Sequence, residues 1–388
     1  MTIQQKIILL SAKVQPTQDE IKALGDALVE VRDWEALQSL LIAQGVGPLF
    51  YKKLSLLANA GLVPAVCREK LKQSSFLTLS RGMLQYNVFR KMTEVLQGRG
   101  IPFLLLKGAY LAEKLYGDIA LRQFSDIDVL IKEADGEQAQ RVLREAGFRS
   151  EDYAMAAFLR KNVGFEHYPQ MIFQGVPVEL HVRLNRPNER FDINTDSVWQ
   201  YAEKVNLQGF EVFVPDRQDT LIHTCVHLHK HFCEGHIQLT GMHDIVNMLN
   251  SDKFTVDWPV LISRCEQYGC TDVVLKYLML ASKYYGIGLP EFVSEKYGCC
   301  LLEADEALFI QYLSGYRGKH FSVKSKFEDV EQLKGWQLKL KYLWHMLFPT
   351  KKYMLVSYKI KNPSLYWLYY PYRYWVGLKG IWRMVRGR

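Results

Sequence analysis

Apolar residues recur every three or four positions through most of the first hundred residues, as at Trp34, Leu37, Leu40 and Leu41, and this period predicts helices. Val46-Gly47-Pro48 interrupts one run before Leu49-Phe50-Tyr51 resumes it. A further helix follows Pro64, and a long one covers Phe76 to Leu96 and stops at Gly98-Arg99-Gly100. At Ile101 the pattern changes. Ile101 to Leu106 is an unbroken apolar run of strand length, Ala109 to Tyr116 has helical composition, and Asp126 to Ile131 alternates acidic and apolar positions as a strand does. An amphipathic helix from Asp135 to Ala146 ends at Gly147, and Phe165–Phe173 and Val176–Leu184, split by Gln174-Gly175, predict a hairpin. Beyond Thr220 the chain reads as helical again, punctuated by Pro259, Gly269, Gly286 and Pro290. The expected fold class is therefore α+β. A small mixed β-sheet core at 99–185 lies between a helical N-terminal module (1–98) and a helical domain (186–331), and a C-terminal segment (332–388) follows.

Composition adds three restrictions. At 48% hydrophobic and 23% charged residues the chain is ordinary for a folded protein. Seven cysteines without a C-x-x-C pair, and no secretory signal, predict reduced thiols and a cytoplasmic location. No stretch reaches the roughly 18 apolar residues of a membrane span. The net charge of +8 is uneven: the segment after Glu331 carries twelve Lys/Arg and no Asp or Glu, which leaves residues 1–331 at −4.

The chemistry is carried by carboxylates. On a strand, Asp126 and Asp128 share one face while Ile127, Val129 and Ile131 share the other. Two acids on one face repel each other, so a cation is expected between them, and removing one acid is expected to leave stability unchanged or raised. Val178-Glu179-Leu180-His181-Val182-Arg183 repeats the pattern, with Glu179, His181 and Arg183 on the polar face. Three hard oxygen donors suit Mg²⁺ or Mn²⁺, and a pair of such ions about 3.5–4 Å apart would activate an acceptor hydroxyl and stabilise a leaving pyrophosphate. Lys107-Gly108 stands at a strand end and opens a helix, a place suited to triphosphate oxygens, with Arg122 as a second phosphate contact.

Taken together, Leu104–Ala112, Leu115–Asp118, Leu121–Ile131 and Val178–Leu184 resemble the bacterial "uncharacterised nucleotidyltransferase" family of the DNA-polymerase-β-like superfamily. The lead-in from Trp34 to Leu54 and the stretch Leu221–His231 are similar to it too, so the resemblance covers roughly residues 30–250. It implies nucleotidyl transfer from an NTP with Mg²⁺ (or Mn²⁺), and Asp126, Asp128 and Glu179 as catalytic metal ligands. Lys107, Gly108, Arg122, Ser125, His181 and Arg183 are the expected nucleotide contacts. The chain departs from the superfamily pattern in carrying Lys107-Gly108 where Gly-Ser is usual, and a glutamate as third acid. The acceptor, whether peptide, sugar, other small molecule, tRNA or protein, is not written in these residues. Phosphoryl or pyrophosphoryl transfer also remains open on this scaffold.

Two features stand outside the acidic pattern. His223, His227, His229, His231, His236 and His243 crowd one helical region, and His223, His227 and His231 fall on a single face. That face either adjoins the nucleotide site, serves structure, or holds zinc for a hydrolase. A catalytically silent nucleotide-binding protein is a further alternative. In the C-terminal segment Lys and Arg interleave with Trp336, Tyr342, Trp344, Trp367, Trp375 and Trp382. This composition fits completion of a helical core, peripheral contact with an anionic membrane at the inner surface, or a nucleic-acid arm.

Overall fold

The computed structural model describes residues 1–150, 154–186, 189–234, 239–298, 301–315, 330, 333–360 and 362–386. The change of period at residue 101 marks the entry into a sheet. Its strands are Phe103–Leu105 (β1), Ile127–Ile131 (β2), Arg149–Ser150 (β3), Met171–Phe173 (β4), Val176–His181 (β5), Glu203–Leu207 (β6) and Phe210–Val214 (β7). They lie in the order β3-β4-β5-β2-β1-β7-β6. β2 pairs with β5, and β1 with β7, in parallel; the other pairs are antiparallel. With helical regions on both sides of this single mixed sheet, the fold is α+β, as the pattern predicts.

The β6–β7 hairpin lies in a stretch read as helical. Val205 and Leu207, then Val212 and Val214, alternate around Gln208-Gly209. Both turn residues have positive φ, 52° and 83°, as do Gln174 and Gly175 in the predicted hairpin, at 49° and 80°. The strands are short and half exposed, so their apolar contrast is weak.

The helices before the sheet are Ile3–Ser11 (α1), Gln18–Val29 (α2), Trp34–Ala43 (α3), Gly47–Lys53 (α4) and Ala65–Gln97 (α5). α5 is one helix of 33 residues where the sequence suggests two, since no proline falls within it. Within and after the sheet come Lys107–Lys114 (α6), Gly136–Glu145 (α7), Ala154–Asn162 (α8), Thr195–Gln200 (α9), Arg217–Glu234 (α10), Thr240–Leu249 (α11), Trp258–Tyr268 (α12), Thr271–Tyr285 (α13), Glu291–Tyr297 (α14) and Glu303–Leu313 (α15). Three more helices, Trp336–Leu347, Lys351–Ser357 and Tyr369–Arg386, make up the C-terminal segment. Among the described residues no helix is long and apolar enough to cross a membrane.

Strand alternation divides the interior in two. Phe103, Leu105, Ile127, Val129, Ile131, Val178 and Leu180 pack with Val88, Phe89 and Met92 of α5 on one side. Leu104 and Leu130 face the other side, into a larger core shared by α1–α4 and α10–α15. α5 joins both, contributing Cys67 and Leu71 to the larger core and Tyr86 to Leu96 to the smaller one. The acids of β2 and β5 occupy the even and odd positions that face the larger core.

Candidate functional site

Register brings the acids together. β2 and β5 run parallel with Asp128 opposite Glu179 and Leu130 opposite His181, so Asp128, Glu179 and His181 share one sheet face. Each offers a ligand atom, and those atoms all lie within 4.8 Å of one another, the one such group among the described residues. Asp126 stands one residue before β2, half-buried. Burial, and then its neighbour Asp128, push its carboxyl up to about 6, while Lys107 pulls the other way. Ser125, exposed beside it, adds a smaller pull in the same direction as Lys107.

The expected cation is supplied by the protein itself. Lys107 Nζ lies 3.3 Å from Asp128 Oδ2, both side chains being about nine-tenths buried. His181 Nε2 lies 3.5 Å from Asp128 Oδ1 and 3.5 Å from Glu179 Oε2. Burial alone would raise the Asp128 pKa, but Lys107 and His181 hold it well below the usual carboxylate range. Burial pulls His181 down, and the two carboxylates overcome it and push the imidazole up to about 9. The Glu179 carboxyl is likewise held low by His181 against its own burial. The 3.5 Å separations are long for hydrogen bonds, and Asp128 Oδ1 and both ring nitrogens of His181 are buried without a hydrogen-bond partner. A buried carboxylate oxygen left this way fits a divalent cation, for which Asp128 and Glu179 are suitable donors.

Other residues fix the frame. Lys107 and Gly108 open α6 directly after β1, and the Leu106 N–H just before them donates to the Asp128 carbonyl at 2.9 Å, so the helix starts beside β2. Arg122, expected as a phosphate contact, is spent elsewhere. It is buried, and its Nε and Nη2 donate to Asp244 at 2.8 and 2.6 Å while Nη1 donates to the Gly108 carbonyl at 3.0 Å. Tyr116 Oη donates to the same Asp244 at 2.9 Å. Three of its five N–H donors thus go to protein oxygens, and Arg122 ties the Gly108 carbonyl to Asp244 of α11. Arg183 lies just past β5, half-buried, and its backbone N–H donates to the Glu166 carbonyl.

Sequence reasoning missed four contributors. Gln170 donates to Glu179 Oε1 at 2.9 Å, and His167 Nε2 lies 3.9 Å from Glu179 Oε2. Buried Glu166 receives Lys230 Nζ at 2.6 Å. All but Lys230 come from Phe165–Phe173, expected as a strand; only Met171–Phe173 is one, and His167 meets β5 through a single bridge to His181. Lys230 stands on the histidine face of α10, and nothing in the sequence signals its partner.

That face does pack beside the acids. His223, His227 and His231 form a ladder with ring centroids 6.1 and 4.4 Å apart, while Leu221, Cys225, Leu228 and Phe232 are buried on the opposite side. Burial, and next the Lys107 charge, keep His223 and His227 neutral. Among the described residues these histidines gather no third metal ligand. His236 lies outside the described residues.

No curated protein and no solved structure matches the chain. A family model does, over residues 30–286, a span that takes in the sheet, the acids and the histidine helix. The chain belongs to the family described as uncharacterised nucleotidyltransferases.

Proposed function

We propose that the protein transfers a nucleoside monophosphate from an NTP to an acceptor hydroxyl, releasing pyrophosphate, with Mg²⁺ or Mn²⁺ bound by Asp126, Asp128 and Glu179. The observation that carries this reading is the pairing of Asp128 with Glu179 on adjacent parallel strands, beside a helix that opens on Lys107. Bound there, the ion supplies charge neutralisation for the phosphates and lowers the proton affinity of the acceptor hydroxyl. Lys107 then moves its ammonium from Asp128 to the triphosphate, where the α6 N-terminus adds backbone donors. His181, held between Asp128 and Glu179, orients the two acids, or would complete the ligand set on giving up its proton. Its imidazole suits Mn²⁺ better than Mg²⁺. The neutral His223 and His227, close enough to Lys107 and Asp128 to feel their charges, present hydrogen-bonding groups to nucleotide or acceptor without adding positive charge.

The reading is tested without knowing the acceptor. Purified protein is titrated with Mg²⁺–ATP and Mn²⁺–ATP in a calorimeter, and then incubated with α- or γ-labelled ATP and a small-molecule or protein extract. Binding that requires the ion, and transfer of the α label with release of pyrophosphate, are the expected results. Transfer of the γ label would move the reaction to phosphoryl transfer. Tight binding without turnover in any extract favours a nucleotide-binding protein. Zinc in the purified protein that survives Asp128→Asn places the metal chemistry on α10 instead.

A further inference from the structure

The C-terminal segment lies beyond the residues that the family model matches, yet it is folded. Arg373 Nη2 donates to the Met346 carbonyl at 2.9 Å, and its guanidinium lies 5.3 Å over the Tyr353 ring. Tyr370 Oη donates to the Pro349 carbonyl at 2.6 Å and Tyr374 Oη to the Leu347 carbonyl at 3.0 Å. These contacts tie the helices Trp336–Leu347, Lys351–Ser357 and Tyr369–Arg386 into one unit. Tyr342, buried with Phe158 and Leu333, fixes the first of them to α8.

The opposite faces are open and apolar. Trp336, Leu340, Leu343, Trp344 and Leu347 follow i, i+4, i+7, i+8, i+11, a single stripe, with exposures from 37% at Leu343 to 69% at Trp336. On the last helix Tyr372, Trp375, Leu378 and Trp382 follow i, i+3, i+6, i+10 and are 53–66% exposed. Helical stripes of this width ordinarily face a core. Around them the segment carries twelve Lys/Arg and no acid, and Lys379 Nζ lies 4.8 Å over the Trp375 ring.

We infer that these two stripes dock the protein on the surface of an anionic lipid bilayer, lying in the headgroup region and not crossing it. Basic side chains beside Trp and Tyr suit the headgroup level, and the leucines suit the acyl boundary beneath it. The leucines also separate this partner from RNA, because they offer no π-face on which a base could stack. A second copy is disfavoured by charge, since a symmetric contact would set two segments of +12 against each other. The 12-residue helix is too short to span, and the 18-residue one too polar.

Flotation of the full chain with vesicles tests this. It should rise with vesicles of equal parts phosphatidylglycerol and phosphatidylcholine at about 50 mM salt, stay behind with phosphatidylcholine alone, and be released near 1 M salt, where screening is within about 3 Å. Trp336→Ser, Trp344→Ser and Trp375→Ser combined should weaken binding at least about tenfold while circular dichroism is unchanged, since all three rings are exposed. Lys339→Gln, Lys351→Gln and Lys379→Gln together should weaken it on the order of a hundredfold. Brominated acyl chains should quench tryptophan fluorescence in the parent chain and far less in the tryptophan variant. The inference is overturned if the chain ignores anionic vesicles or binds neutral ones equally. Release by single-stranded RNA at matched phosphate concentration would also overturn it, as would a lipid-resistant dimer that the tryptophan variant abolishes.

Discussion

Asp128 stands 3.3 Å from Lys107 Nζ and 3.5 Å from His181 Nε2 in a nearly dry place, and this alters what its removal does. From the sequence, two like charges on one face make loss of an acid neutral or stabilising. The structure sets two cations against those acids, so removing Asp128 takes from Lys107 its 3.3 Å partner and leaves His181 with Glu179 alone. Asp128→Ala should therefore destabilise the metal-free protein by about 3 kcal/mol, the cost of breaking a buried pair from one side. It should also abolish ion-dependent ATP binding. Urea unfolding in chelator measures the first effect, and an unchanged or raised midpoint would show that the repulsion between acids dominates after all. Arg122 makes a second residue-scale case. Its fork on Asp244 is bidentate and buried, so Arg122→Lys keeps the charge but loses the parallel bonds and the tie to Gly108. We expect a loss of about 2–3 kcal/mol. ATP affinity should fall too, through displacement of the α6 start. The Asp244→Asn double-mutant cycle should return a coupling above about 1 kcal/mol, and additive single effects would remove the tether.

At the scale of elements, α10 and α11 carry histidines that folding keeps neutral. Burial brings His243 down to about 3, with Lys53 adding to it, and brings His229 down to about 4. A base whose folded pKa lies below its unfolded value takes its proton first in the unfolded chain. The stability it supports is thus whole above pH 6.5 and is lost as pH falls from 6.5 toward the folded value. Each such group steepens the decline by up to about 1.4 kcal/mol per pH unit. His243→Leu, whose ring Nε2 has no partner to lose, should flatten the curve between pH 6.5 and 4 by about one proton. Urea midpoints at several pH values give the slope, and a slope identical to the parent's would assign the acid sensitivity elsewhere. The legibility of these elements follows contrast. The alternation at 126–131 and 178–183 exposed both the strands and the acids, because each strand buries one whole face. His181 was legible only as a polar neighbour, since its place between two carboxylates depends on the parallel register of β2 and β5. The β6–β7 hairpin repeated the Gln-Gly turn of 174–175, but its half-exposed strands blurred the period. Arg122 showed no sign of its partner, which lies 122 residues away on α11.

For the whole molecule, the separation of helical regions in the sequence is not a separation in space. α1 to α4 share one core with α10 to α15, and polar side chains stitch the two across it. Asn247 donates to the Ala12 carbonyl at 2.9 Å and accepts from the Val14 N–H at 2.7 Å. Gln5 donates to the Ile310 carbonyl at 3.0 Å, and Gln44 to the Tyr312 carbonyl at 2.6 Å. Lys53, brought down to about 7 by its burial, places its Nζ on the carbonyls of Ser11 and Lys13. A chain joined in this way should open its first and last helices together, because unfolding either leaves buried apolar surface and orphaned carbonyls in the other. Asn247→Ala should cost about 2–3 kcal/mol by leaving the Ala12 and Val14 groups unpaired. That loss should appear equally in α1 and in α13, although Asn247 belongs to neither. Native-state hydrogen exchange reads this directly: amides of Ile7, Ile8, Tyr277 and Leu278 should share one opening free energy and fall together in the variant. Exchange in α1 at a lower free energy than in α13, with only α1 weakened by Asn247→Ala, would make the N-terminal helices a separate folding unit resting on the rest.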